Sequence, residues 1–166
     1  MSPPAPQIEY AFTLHVDLGP PLDYGSTSTG DKRFIPITGG TVSGPRFEGK
    51  ILANTGGDWN AVRADGVVHL YARYSIQAND GTVIGICNEG YGRASQETMK
   101  VVFEDADPSK ASMANNGADW YTRTNPRFEV DVNNEKYGWL GRSVFLGNLK
   151  PPQRPVYVEI DVYEVL

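Results

Sequence analysis

Cysteine and histidine are scarce in this chain. It has one cysteine, Cys87, and two histidines, His15 and His69, among 166 residues. A single cysteine cannot form an internal disulfide, and Cys87 beside Ile86 is most simply a small buried residue. No HExxH or CxxC pattern occurs. The sequence therefore offers almost no material for a zinc site, and we expect no metal.

Motifs that cradle phosphates or activate a serine are also missing. The chain has no GxxxxGK[ST], no complete GxGxxG and no GxSxG. These absences argue against a nucleotide-dependent enzyme and a serine hydrolase, and we expect no cofactor.

Basic residues and long apolar runs are in short supply as well. Fifteen Lys and Arg stand against 20 Asp and Glu, for a formal net charge of −5. This balance makes nucleic acid and anionic membranes poor partners. The start, MSPPAPQ, lacks the basic and apolar regions of a secretory signal, and no apolar run is long enough to span a bilayer. We expect a cytoplasmic protein.

Glycine, proline and alternating apolar residues are abundant instead. The 18 glycines and 12 prolines fall largely in turn signals between short strand-like runs. This pattern predicts an all-β protein, either a sandwich or a barrel. The up-and-down order favours a single closed antiparallel β-barrel of about eight or more strands with one short helix. We expect a flexible tail over 1–7 and one domain over 8–166.

The first strand is the clearest element. Ile8 to Leu18 alternates so that Ile8, Tyr10, Phe12, Leu14 and Val16 share one face. A helix is expected over 96–104 with Ser95 as its cap, and loops over 25–30 and 105–119. Further strands are predicted over 32–38, 47–54, 61–64, 67–77, 82–89, 120–130, 139–146 and 156–165.

The segment 67–89 predicts a β-hairpin. If Asp80 and Gly81 form a two-residue turn, Arg73 lies opposite Asn88. One face of the first hairpin strand carries His69, Tyr71 and Arg73. The other is the apolar wall, with Val68, Leu70, Ala72, Tyr74 and Ile76. The polar face is wet in a sandwich and can line a lumen in a barrel, and a one-residue slip would regroup both faces.

Asp58, in the loop sequence GGDW, is the first candidate for proton transfer. Desolvation beside Trp59 would raise the pKa of its carboxyl group, whereas the alternative is a turn cap that accepts backbone N–H groups. Trp59 and Trp139 are either core residues or stacking surfaces for a flat ligand.

Three arginines lie in strand-like sequence, where an unpaired cation would be costly. Arg33, Arg73 and Arg123 would bind a substrate oxyanion if they point inward, and are surface charges or ion pairs if they point outward. His69 and Tyr71 are additional acid or base candidates, although a lone histidine on a strand is more often packed or solvated.

An ordered set of short motifs covers nearly the whole chain and resembles a known family of small β-barrels, domain of unknown function 3237. The motifs are Gly30-Asp-Lys-Arg33, Pro36-Ile-Thr-Gly-Gly40, Gly44-Pro-Arg-Phe-Glu-Gly49, Gly57-Asp-Trp59, Asp65-Gly66, Ala72-Arg-Tyr74, Asp80-Gly81, Asn88, Arg123-Thr124, Pro126-Arg-Phe128 and Tyr137-Gly-Trp-Leu140.

The resemblance implies a closed barrel and, by analogy with some fungal members, a cofactor-free cyclase of polyketide-type secondary metabolism. Such enzymes add a hydroxyl group to an alkene within one substrate. Asp58, Arg73 and Arg123 are then the expected catalytic residues. The expected substrate-binding residues are Arg33, Trp59, His69, Tyr71, Asn88 and Trp139.

Two other functions remain open. The barrel could hold a small aromatic or hydrophobic molecule without changing it, as lipocalin-like proteins do. It could also be a structural homo-oligomer with a packed interior, in which case no cavity is expected.

Overall fold

The computed structural model describes residues 1–103, 119–151 and 157–166. Short strands dominate these ranges, with one α-helix and one turn of 3-10 helix, Gly138–Gly141. The strands and the helix, in chain order, are β1 Ile8–Leu18, β2 Leu22–Thr27, β3 Gly30–Ser43, β4 Gly49–Ile51, β5 Gly57–Val62, β6 Val68–Ala78, β7 Val83–Arg93, α1 Gln96–Phe103, β8 Tyr121–Glu129, β9 Phe145–Leu149 and β10 Tyr157–Val165.

The strands close into an antiparallel barrel of eight positions. The order around the barrel runs β1, β10, β9, β8, β7 and β6, then β4 and β5 together, then β3. β4 and β5 share one position because both pair with β3 on one side and with β6 on the other. Pairing of β1 with β3 completes the circle. The predicted closed barrel and short helix are confirmed.

β3 is long enough to pair with two different strands along the same edge. Its first half pairs with β2 and its second half with β1. Pro36 lies between the two pairings, next to a bulge at Asp17 and Leu18. A proline, which lacks the N–H of a ladder bond, is tolerated at such a junction.

The end of the barrel near the turn between β6 and β7 is filled by apolar side chains from almost every strand. Phe12, Phe128 and Phe145 pack edge to face, with ring centroids 5.9 and 5.1 Å apart. Aliphatic residues complete this core, including Leu14, Val42, Ile51, Ile76, Ile84, Ile86 and Val162. Burial of this surface is the main stabilising contribution to the fold.

The single predicted face of β1 is wrong at its first two positions. A bulge between Tyr10 and Phe12 shifts the register against β10. Ile8 and Tyr10 are therefore exposed, whereas Ala11 and Phe12 are both buried. One extra residue in a strand reverses the faces on either side of it.

The predicted register of the central hairpin is also wrong, by one residue. Arg73 pairs with Cys87, and Ala72 pairs with Asn88. The loop has three residues, because the backbone N–H groups of Ala78 and Gly81 bond to the carbonyls of Thr82 and Ala78. Gly81 has a φ of 92°, which is typical of a type I turn followed by a bulge.

Two further sequence expectations need correction. Residues 22–27 form strand β2, where a loop was expected over 25–30. Trp139 lies in the 3-10 helix and not in a strand, because N–H groups of Leu140 and Arg142 bond to carbonyls three residues earlier. The strand expected over 139–146 begins only at Phe145.

The helix α1 begins where the sequence predicts. The Ser95 hydroxyl accepts the Thr98 N–H at 3.2 Å, which is the predicted cap. Glu104, most of the predicted loop over 105–119, and Val156 lie outside the described residues. In the described part of the chain, no helix combines the length and apolarity needed to cross a membrane.

Candidate functional site

Polar side chains are interspersed with apolar ones on the inner face of the barrel, toward the end where β7 leads into α1. The inner faces of the strands are set by alternation, so residues two apart point into the barrel together. On β6 these are Val68, Leu70, Ala72, Tyr74 and Ile76. The face containing Arg73, which was a candidate lumen wall, is therefore the outer face.

Asp58 lies on the inner side of β5, opposite Ala72 of β6 and Ile35 of β3. Its Oδ1 accepts the backbone N–H of Tyr71 at 3.0 Å. Burial raises the pKa of the Asp58 carboxyl group above its usual value, and hydrogen bonds from Tyr71 and Asn60 together with the His69 charge only partly oppose this shift. Asp58 is thus desolvated, as one alternative predicted. It lies in strand β5 and accepts its backbone N–H from the neighbouring strand β6, so it does not cap a turn as the other alternative expected.

Three buried side-chain oxygen atoms have no hydrogen-bond partner among the described residues. They are the Tyr74 hydroxyl, the Asn88 Oδ1 and the Thr124 Oγ1. The three side chains are only 3%, 3% and 4% exposed. Leaving such a group unpaired typically costs about 1–3 kcal/mol. A ligand with matching groups would recover that cost.

The register places these residues in one connected set. Asn88 of β7 lies opposite Ala72 of β6, which in turn lies opposite Asp58 of β5, so Asn88 and Asp58 are two strands apart. Tyr74 is two residues from Ala72 along β6, and the nearby Asp58 charge contributes to the raised pKa of its phenol, after burial itself. Thr124 lies opposite Gly90, two residues beyond Asn88. We call Asp58, Tyr74, Asn88 and Thr124 the interior polar cluster.

Arg33 and Asn60 lie at the edge of this cluster. They are cross-strand partners, on the same face as Asp58. The Arg33 side chain is 55% exposed, and its Nε is 3.9 Å from the Oδ2 atom of Asp23. Arg33 therefore stands at the rim as a solvated cation and does not enter the interior.

The structure separates several predicted site residues from the cluster. His69 and Arg73 lie on the outer face of β6 with Tyr71 between them. His69 Nε2 is 2.9 Å from Glu89, and the 57% exposed Arg73 is 3.9 Å from Glu129. These contacts agree with the surface or ion-pair alternative for Arg73 and with a partly solvated position for His69.

Arg123 and the two tryptophans are also placed outside the cluster. Arg123 donates to Asn148 at 2.6 Å on the exposed side of β8. Trp59 packs against Phe34 on the outer face, with ring centroids 4.9 Å apart. Trp139 stacks under Arg46 at 3.9 Å in the 3-10 helix segment. A chemical role for the outlying residues stays a prediction that this geometry does not support.

Sequence reasoning missed Tyr74, Thr124 and Asn60. Tyr74 was assigned to the apolar wall of its strand, where it does lie, but its hydroxyl makes that wall partly polar. With the observed register, the same pattern would have placed Asn88 and Tyr74 together. The described residues contain no group of three or more His, Cys, Asp or Glu side chains arranged to hold a metal ion.

Relatives with known sequences and structures resemble the chain over almost its full length. A UPF0311 protein of Rhodopseudomonas palustris is 32% identical over 165 residues, covering 98% of this chain and 99% of the relative. The crystal structure of a conserved protein of unknown function from the same species matches with a TM-score of 0.82 and 31% identity, covering 99% and 100% of the two chains.

A more distant relative has a named activity. A hydroalkoxylation enzyme of Penicillium herquei is 29% identical over 123 residues, covering 74% of this chain and 78% of the enzyme. The family described as a protein of unknown function, DUF3237, matches residues 6–165. This match spans the barrel from β1 to β10 and includes the interior polar cluster, so the chain belongs to the DUF3237 family.

Proposed function

We propose that the protein is a cofactor-independent cyclase that adds a hydroxyl group to an alkene within one small aromatic or polyketide-type substrate. The observation that carries the proposal is the desolvated Asp58 carboxyl group among unpaired buried oxygens. The relationship to a hydroalkoxylation enzyme supports the same reaction class. A raised pKa keeps more of this carboxyl group protonated near neutral pH, as a general acid requires.

The reaction needs only a proton that is donated and then returned. Protonated Asp58 would give its proton to one alkene carbon, and the adjacent carbon would take the positive charge. The substrate hydroxyl oxygen would then form the new C–O bond to that carbon. Its proton would pass back to the Asp58 carboxylate, so substrate and product are isomers and the enzyme is restored.

The neighbours of Asp58 suit the other requirements of this reaction. Asn88 Oδ1 can accept a hydrogen bond from the attacking hydroxyl group and so fix its direction. The Tyr74 and Thr124 hydroxyls can hold further substrate oxygens. Apolar inner residues such as Leu70 and Leu149 would fold the alkene chain toward the hydroxyl group, and such positioning accounts for much of the rate of an intramolecular reaction.

The proposal is tested by incubating the purified protein with a panel of ortho-prenylated phenols in deuterated water. Cyclic ether should form with one deuterium on the former alkene carbon, as detected by mass spectrometry and NMR. Asp58→Asn should lower kcat by about 100- to 10,000-fold, the usual contribution of a general acid. Asp65→Asn is the matched control, since Asp65 is an exposed turn residue.

The result also separates catalysis from simple binding. If Asp58→Asn keeps full turnover, Asp58 is not the acid. If the wild-type protein retains prenylated phenols unchanged and forms no ether, the lipocalin-like alternative replaces the cyclase.

A further inference from the structure

The interior polar cluster has an excess of hydrogen-bond acceptors over cations. Asn88 Oδ1 can only accept, and the Asp58 carboxylate can only accept when ionised. The Tyr74 and Thr124 hydroxyls can each donate or accept. Since Asn88 Oδ1 and both hydroxyl oxygens are unpaired among the described residues, the cluster has more need of a donor than of an anion.

Positive charge reaches the cluster from its rim and from His69 on the outer face of β6, whose charge acts on Asp58. Within residues 1–99, 119–151 and 157–166, Arg33 is the basic side chain that register places beside Asp58 and Asn60 on the inner face. It is more than half exposed and faces Asp23. An oxyanion has no hydrogen to donate, so it would leave Asn88 Oδ1 unpaired, and beside an ionised Asp58 it would also face a like charge at a cost that a low-dielectric interior increases.

The spacing of the strands fits a single ring between the polar groups. Asp58 and Asn88 lie two strands apart with Ala72 between them, which corresponds to about 10 Å between their backbones. Ala72 has only a methyl side chain. The polar groups at this level of the barrel wall are therefore the Asp58 carboxyl group and the Asn88 carboxamide group.

We propose that the interior polar cluster binds the uncharged hydroxyl group of a phenolic ring and discriminates against the corresponding phenolate. The hydroxyl group donates to Asn88 Oδ1, and oxygen atoms attached to the ring accept hydrogen bonds from Tyr74 and Thr124. This inference rests on the proposed function only in using the same site, and it names the ionisation state of the ligand.

Para-nitrophenol is a direct probe, because its phenol and phenolate forms differ in visible absorption. The probe is held at a pH equal to its pKa in solution, and the full-length protein is titrated in. Binding should lower the phenolate absorbance, so that the pKa of the bound probe is higher than in solution. Para-nitroanisole, which has no hydroxyl hydrogen, should bind about tenfold more weakly, as followed by tryptophan fluorescence.

Two substitutions locate the effect. Asn88→Leu and Thr124→Val should each weaken para-nitrophenol binding by about tenfold and reduce its preference over para-nitroanisole. Thr124→Val conserves shape, so it tests the inference even if Asn88→Leu fails to fold. Tyr91→Phe, on the outer face of β7, is the matched control and should leave binding unchanged.

Several outcomes would overturn the inference. They are a rise in phenolate absorbance on binding, equal affinity for para-nitroanisole, unchanged affinity in both cluster variants, or no binding of para-nitrophenol. None of these readouts depends on turnover. Selective phenol binding without ether formation would therefore reject the cyclase and keep this inference, whereas ether formation with phenolate-selective binding would do the reverse.

Discussion

Tyr74 carries a hydroxyl group that the described part of the fold leaves unpaired. Its ring packs in the apolar core, while the hydroxyl lies beside the charge of Asp58. A residue selected only for packing would be phenylalanine, since the hydroxyl adds desolvation cost without a protein partner. The hydroxyl is thus better explained by ligand binding than by stability.

Tyr74→Phe should therefore make the protein more stable and less functional. Removing the unpaired hydroxyl should raise the free energy of unfolding by about 1 kcal/mol, as measured by urea denaturation. The same variant should bind para-nitrophenol more weakly. A loss of stability on this substitution would mean that the hydroxyl has a structural partner, and the cluster would lose one of its members.

At the scale of single elements, the hairpin of β6 and β7 decides which residues face the interior. The alternation along 67–89 correctly separates the two faces, but it does not count the loop residues. Asn79 belongs to the turn together with Asp80 and Gly81. Because the turn is one residue longer than expected, Asn88 lies opposite Ala72 and not opposite Arg73. The turn length was not determined by the sequence, because Asp-Gly occurs in both two-residue and three-residue loops.

Gly81→Ala tests the observed turn. The φ of 92° at Gly81 is unfavourable for a residue with a Cβ, so this substitution should lower the free energy of unfolding by about 1 kcal/mol. Gly85→Ala in the same hairpin is the control, since its added Cβ would meet atoms of Glu129 no closer than 3.4 Å. Equal stability of the two variants in urea denaturation would contradict the three-residue turn.

The limits of sequence reasoning at this scale have specific causes. Period-two alternation predicted β1 beyond its bulge and separated the two faces of β6, because the inner residues of these stretches are mostly apolar. The bulge at Tyr10 has no sequence signal that alternation can detect, and it reverses the predicted face of Ile8. Asp58 and Asn88 were found as single residues, but their relation to Tyr74 and Thr124 depends on pairings between strands that are distant in sequence.

For the whole molecule, different carboxyl groups make opposite contributions to the pH dependence of stability. Hydrogen bonds to Asp65, Asp80, Asp119 and Glu164 lower the pKa of each. Their stabilising contributions are present above the ordinary carboxyl pKa and are lost as the pH falls through the lowered values. Asp58 has a raised pKa, so its contribution is complete below the ordinary value and is lost as the pH rises through the raised one.

The Asp58→Asn variant should reveal this opposing contribution. The difference in the free energy of unfolding between the variant and the wild type should increase in favour of the variant as the pH rises from acid through the raised pKa of Asp58. Urea denaturation at a series of pH values measures it. A pH-independent difference, or one of the opposite sign, would show that folding does not raise the pKa of this carboxyl group.

The apolar core formed by Phe12, Phe128 and Phe145 also limits where a ligand could enter and leave the barrel. It fills one end of the barrel with side chains that are almost completely buried, so a ligand of the interior polar cluster would have to enter and leave at the opposite end. Under the proposed function, substrate and product would therefore use the same opening. Product release would then precede entry of the next substrate, and accumulated product would act as a competitive inhibitor.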